Sequence, residues 1–144
     1  MNLSRFSLEG KVALVTGGSR GIGRASALAL VDAGAHVVVS SRKIADLEAV
    51  AEEIRAKGVR ALAVAAHNAK IEESRMLIER VVKEFGRIDI LMNNAGTNPY
   101  YGPLLEQDEK TYQEQGKTEP PLISPVVPRV HVALSYTIHI SSFK

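Results

Sequence analysis

The run Thr16-Gly17-Gly18-Ser19-Arg20-Gly21-Ile22-Gly23 has the residue types and spacing to hold a diphosphate. It follows the apolar stretch Val12-Ala13-Leu14-Val15 and opens into Arg24–Leu30, which has helical character. A buried strand that turns through glycines into a helix offers main-chain amides, and the positive end of the helix dipole, to an anion. Each glycine has its own task. Gly17 lets the chain leave the strand through a backbone angle that a Cβ resists, and Gly21 lets the backbone approach a pyrophosphate. Gly23 lets the helix pack close to the sheet. Ser19, Arg20 and Ile22 complete the candidate binding loop.

The spacing is Gly-x-x-x-Gly-x-Gly, with a Thr before the first glycine and Ile between the last two. In this it resembles the cofactor loop of the short-chain dehydrogenase/reductase family. A second motif in the right order, Asn93-Asn94-Ala95-Gly96 after the apolar Ile88–Met92, also resembles that family. The resemblance covers about residues 8–112. It implies that Asn94, Ala95 and Gly96 line the cofactor ribose and tie the central strands together. It further implies a nicotinamide cofactor and small carbonyl or alcohol substrates.

The choice of cofactor is read from the end of the second apolar run, Ser40-Ser41-Arg42-Lys43. A site selective for NAD places Asp or Glu there to accept from the ribose 2′-hydroxyl. This chain has a hydroxyl and two cations instead. A 2′-phosphate is attracted by Arg42, whose planar fork suits phosphate oxygens, and Arg20 adds a second cation. With Ser41 and Arg42 as contacts the expected cofactor is NADP (NADPH), with NAD less favoured. Ordinary surface charge is the alternative reading. His67-Asn68 follows the third apolar run, where the family usually has an Asp that holds the adenine amine. Adenine contact by His67 or Asn68 and a merely polar strand end stand level.

The family handles its proton with a Tyr and a Lys four residues later, because tyrosine ionises only near pH ~10 without a neighbouring cation. No Tyr-x-x-x-Lys is present: Tyr100, Tyr101, Tyr112 and Tyr136 are followed at that distance by Leu104, Leu105, Gly116 and Ile140. Thr137-Ile138-His139-Ile140-Ser141-Ser142 resembles the end of the family's fifth strand, which makes Ser142 the one catalytic candidate; a chance β-type tail is the other reading. The loss of family character after Tyr112 suggests a truncated, misspliced or frame-shifted product. It divides the chain into a cofactor-binding domain, 1–112, and an atypical proline-rich tail, 113–144. Three functions fit: the NADP(H)-binding portion of a short-chain oxidoreductase whose catalytic half is missing, a non-catalytic NADP(H)-binding module, or a product that no longer works alone and self-associates.

Composition bounds these readings. The 144 residues are 45% apolar and 24% charged, as expected of one soluble globular domain. A formal net charge of +2 is too small and dispersed to argue for nucleic acid. The absence of cysteine excludes disulfides and thiolate zinc sites, and no metal set is expected. Neither a signal peptide nor a membrane span is read, so the expected setting is cytoplasmic. A homo-oligomer is left open.

The elements that must position these residues alternate. Strands are expected at about Lys11–Val15, His36–Ser40, Ala61–Ala65 and Ile88–Met92. The first helix is expected from Gly21 to Ala33. A second is marked by Ile44, Leu47, Val50, Ala51 and Ile54, and a third by Met76, Leu77, Val81, Val82 and Phe85, with Asn68 as its cap. This rhythm demands a Rossmann-type, doubly wound parallel α/β sheet in the order 3-2-1-4, truncated after strand four. A helix start at Leu104–Glu114 and an extra C-terminal strand in the alternating residues 130–140, covering the edge of strand four, complete the expectation.

Overall fold

The computed structural model describes residues 3–96, 110 and 132–135. Five strands form one parallel sheet: β1 (Val12–Thr16), β2 (His36–Ser41), β3 (Ala61–Ala65), β4 (Ile90–Asn93) and β5 (Val132–Ser135), in the order β3-β2-β1-β4-β5. Three helices connect them, α1 (Gly21–Asp32), α2 (Ile44–Ala56) and α3 (Ile71–Phe85).

Strand alternation assigns the helices to faces. Ala13, Val15, Val37, Val39, Ile90 and Met92 pack with Ala27 and Val31 of α1 and Leu47, Val50, Ala51 and Ile54 of α2. Val12, Leu14, Val38 and Leu91 point the other way and pack with Leu77, Ile78 and Val81 of α3. Two buried faces explain the near-continuous apolar sequence of β1 and β2. The chain winds outward from β1 to β3, then returns past β1 to β4. Right-handed crossovers therefore put α3 on the face opposite α1 and α2. The turning point of the winding, where an α/β sheet opens a ligand crevice, is the pair β1 and β4.

Several local expectations shift. In α2, Ile44 is 46% exposed and only the later members of its stripe are buried. In α3 the buried arc is Ser74, Leu77, Ile78 and Val81, while Met76 (63% exposed) and Val82 (44%) face outward. The i, i+3, i+4, i+7 set that meets the sheet is centred one residue away from the apolar count. Asn68 does not cap α3. That helix starts at Ile71, and the carboxylate of Glu73 instead accepts from the His67 amide (2.7 Å) and Lys70 Nζ (2.8 Å). These partners, the Lys70 hydrogen bond first, hold the Glu73 pKa below its ordinary value. The helix start expected at Leu104–Glu114 lies, except for residue 110, outside the described residues. β5 falls within the span expected of the tail strand and pairs beside β4, Ile90 opposite Val132.

β4 begins two residues later than expected, and Asp89 is the reason. Its buried carboxylate accepts from the Val12 amide (2.9 Å), and its own amide donates to the Val12 carbonyl (2.8 Å). A side chain has replaced one rung of the ladder. Arg87 donates to the other carboxylate oxygen. Burial pushes the Asp89 pKa up, but the Arg87 hydrogen bond, the Val12 amide and the charges of Arg87 and Lys11 outweigh it and hold the carboxyl below its ordinary 3.8.

A depressed folded-state pKa means the stabilisation is present above the unfolded value and is lost as pH falls through the folded one. Asp89→Ala, which leaves the Val12 amide without its acceptor, is expected to cost about 1–3 kcal/mol at neutral pH. Urea unfolding as a function of pH checks this: the gap to the parent chain should narrow below pH 3.8. A gap that does not change with pH would show that the Asp89 charge contributes nothing.

Candidate functional site

The site is built at the carboxyl ends of the strands, and its fixed point is Thr16, fully buried where β1 ends. The Thr16 hydroxyl donates to the Met92 carbonyl (3.3 Å) and accepts from the amides of Asn94 (3.0 Å) and Ala95 (3.1 Å). One proton and two lone pairs are thus all engaged. Asn94 returns the contact: its Nδ2 donates to the carbonyls of Thr16 and Gly17, each at 3.2 Å. The tips of β1 and β4 are locked together at the turning point of the sheet.

The glycine loop is shaped by this lock. Gly17 has φ +66, and a Cβ there would come within 2.9 Å of Asn94 Nδ2. At Gly23 a Cβ would run into the Gly17 carbonyl and the same Asn94 nitrogen, so the start of α1 rests directly on the loop. Gly18 donates to the Ser40 carbonyl (3.1 Å), and its Cβ would lie 2.9 Å from the Val39 side chain. Gly21 differs. It has φ +56, and a Cβ on it would meet nothing within 4 Å. The loop is closed on its protein side and open on the side that Gly21 presents. Arg20, the N-cap of α1, is extended and gives no side-chain cap, so the amides of the first turn (Gly21, Ile22, Gly23) have no acceptor within the helix.

Around this loop the remaining candidates take their places by strand. Ala95 is half-buried and Gly96 exposed after β4. Ser41 is the last residue of β2, and Arg42 follows it, exposed. Neither Arg20 nor Arg42 takes part in an ion pair among the described residues. Beyond β3, the half-buried His67 accepts at Nδ1 from the Ala69 amide (3.3 Å). Asn68 is 8% exposed, and neither its Oδ1 nor its Nδ2 has a partner among the described residues. The structure therefore brings Gly17, Gly21, Gly23, Asn94 and Ala95 into one cluster, and sets Ser41, Arg42, His67 and Asn68 along the same edge of the sheet. Ser142 lies outside the described residues. Among those residues, no group of three His, Cys, Asp or Glu could hold a metal ion.

Sequence reasoning passed over part of this. Thr16 was noted only as the residue before a glycine, because its partners lie nearly eighty residues downstream. The task of Gly18 is not local, since a Cβ there would meet the Val39 side chain on another strand. A cavity of about 360 Å³ between the start of α1 and α2 was also invisible; Ser19, Arg20, Arg24, Asp46, Val50 and Glu53 line it. Of these, Ser19 and Arg20 belong to the candidate loop, and the signal at Asp46 is that of an acid in a first helical turn.

A family model described as short chain dehydrogenase matches residues 11–118. The chain is 50% identical over 96 residues to an uncharacterized oxidoreductase of Mycobacterium tuberculosis (strain CDC 1551 / Oshkosh), an alignment covering 67% of this chain and 36% of that one. L-sorbose reductase from Gluconobacter frateurii, solved with NADPH and L-sorbose, superposes with a TM-score of 0.69 at 37% identity, covering 78% of this chain and 43% of that one. NAD+-bound xylitol dehydrogenase gives a TM-score of 0.69 at 31% identity, with 76% and 42% covered. The chain thus spans less than half the length of each of these relatives.

Thr16→Val removes the hydroxyl from under two amides and is expected to cost about 1–3 kcal/mol of stability, whereas Thr16→Ser keeps all three hydrogen bonds and most of the stability. Urea unfolding of the two variants checks this. Equal losses would assign the role to the Thr16 methyl group, not to its hydroxyl.

Proposed function

The chain belongs to the short-chain dehydrogenase family, and on that premise we propose that it is the NADP(H)-binding portion of an oxidoreductase acting on small carbonyl or alcohol compounds. The observation that carries this reading is the open side of Gly21 beside the uncapped first turn of α1. The first-turn amides have no acceptor within the helix, and among the described residues nothing lies within 4 Å of a Cβ built on Gly21, which suits a diphosphate. Gly17, Ser19, Gly21, Ile22 and Gly23 would hold the diphosphate. Asn94, Ala95 and Gly96 would line the nicotinamide-side ribose, and His67 with Asn68 the adenine. The amide of Asn68 supports that last assignment, because it is buried and has no partner among the described residues.

The solved relatives are named with NADPH in one case and NAD+ in the other, so the preference is argued from this chain's own charges. No carboxylate stands at the end of β2; Ser41 and Arg42 do, and neither Arg42 nor Arg20 enters an ion pair among the described residues. A 2′-phosphate gains from both cations, and a 2′-hydroxyl gains little. That supports NADP(H) over NAD(H).

When bound, the cofactor supplies the hydride. The chain's contribution is to bind and orient it through the locked loop. A second reading, a module that binds NADP(H) without turning over substrate, is favoured by one observation: no tyrosine in the 144 residues is followed by lysine four positions later.

Titration of NADPH fluorescence should reveal saturable binding, and absence of binding at millimolar cofactor would remove the reading. Arg42→Glu is expected to lower the NADPH-to-NADH affinity ratio about tenfold, equivalent to about 1.4 kcal/mol; an unchanged ratio would clear Arg42. With a panel of carbonyl compounds, absorbance at 340 nm should show no NADPH oxidation by this chain alone. Turnover would overturn the second reading and point to another proton donor.

A further inference from the structure

The cavity between α1 and α2 joins the phosphate loop to the first turn of α2, and its charges are balanced in an uneven way. Arg24 is neutralised by Glu53 at 2.5 Å. That leaves Arg20 and Asp46 as the two charged groups lining the cavity that enter no ion pair among the described residues. Asp46 sits in the first turn of α2, and Arg42 lies just before the Lys43 N-cap of that helix. The cavity is therefore lined by an acid together with Arg20, one of the two cations assigned to the 2′-phosphate.

We propose that Asp46 is a specificity-determining residue: through this cavity it repels a ribose 2′-phosphate and narrows the preference for NADP(H) over NAD(H). The inference rests on the cofactor reading of the glycine loop. A 2′-phosphate carries a charge of about −1.5 to −2 at neutral pH, whereas a 2′-hydroxyl carries none, so a carboxylate within a few ångströms of the ribose acts on one cofactor and spares the other. Arg20 and Arg42 attract the phosphate, and Asp46 returns part of that attraction. The chain is left able to accept either cofactor with a modest bias. A purely structural role, an acid complementing the dipole of α2, would change the stability of both complexes equally.

The test uses the full chain and compares it with Asp46→Asn and Asp46→Glu by fluorescence titration of NADPH and NADH. Asp46→Asn should raise the NADPH-to-NADH affinity ratio about three- to tenfold at low ionic strength, through NADPH alone. The gain should shrink in about 1 M salt, where charges are screened beyond about 3 Å. Adenosine 2′,5′-bisphosphate should gain in the same way as a competitor, and ADP should not. Asp46→Glu should keep the parent ratio. An unchanged ratio in Asp46→Asn, or an equal change for both cofactors, would overturn the inference and leave the cofactor reading standing. Failure of the parent chain to bind either cofactor would instead overturn that reading, and the role of Asp46 with it.

Discussion

The hydroxyl of Thr16 is the constraint from which the rest of the site follows. It has three hydrogen-bonding valences, all spent on the end of β4 and the segment after it, and Asn94 answers with two bonds to the chain leaving β1. Thr16 is fully buried and its bond to the Met92 carbonyl is shielded from water, while the bonds made with Asn94 and Ala95 are part-buried. The amide of Asn94 then occupies the space where a Cβ on Gly17 or Gly23 would stand. Glycine at these positions is therefore a packing requirement set by Asn94 as much as a backbone requirement of the turn. Gly21 is the exception, and it marks where the loop has been left open.

The same strand pair is pinned at its other end. Asp89 clips β4 to Val12 by a reciprocal pair of bonds, and Thr16 with Asn94 closes the opposite end. Only the register Ala13–Ile90, Leu14–Leu91 and Val15–Met92 lies between them. Two strands brought together across so long a sequence separation are held by few ladder bonds of their own. Side-chain clips supply what the short ladder lacks. The charge of Asp89 makes the far clip sensitive to acid, whereas the near clip, made of a hydroxyl, an amide and main-chain groups, does not titrate.

The elements that could be read from the sequence were those whose signal is local. β1, β2 and the helices between them show unbroken apolar runs, helical spacing and glycine stops, and the order 3-2-1-4 follows from their alternation. The glycine loop was legible because its chemistry is packed into a few consecutive residues. The Thr16–Asn94 lock, the contact of Gly18 with Val39 and the Asp89 clip each join residues from separate strands, and no local pattern announces them. The face of α3 was misjudged for a related reason. Met76 and Val82 are apolar, but the sheet meets the arc through Ser74 and Ile78, and only the packing decides which arc that is. Asn68 looked like a cap from its position, whereas Glu73 reaches back and takes the amide of His67.

Every residue of the phosphate loop and of the lock lies between Thr16 and Gly96, and the lock is complete among them. Proton handling in the resembled family needs a tyrosine with its lysine, which this sequence does not contain. A loop held in place by hydrogen bonds within the protein would have little ordering entropy left to lose on binding a ligand. On the proposed reading, the Thr16–Gly96 portion supplies the loop that would hold the cofactor, and the charges at Arg20, Arg42 and Asp46 would decide which cofactor benefits.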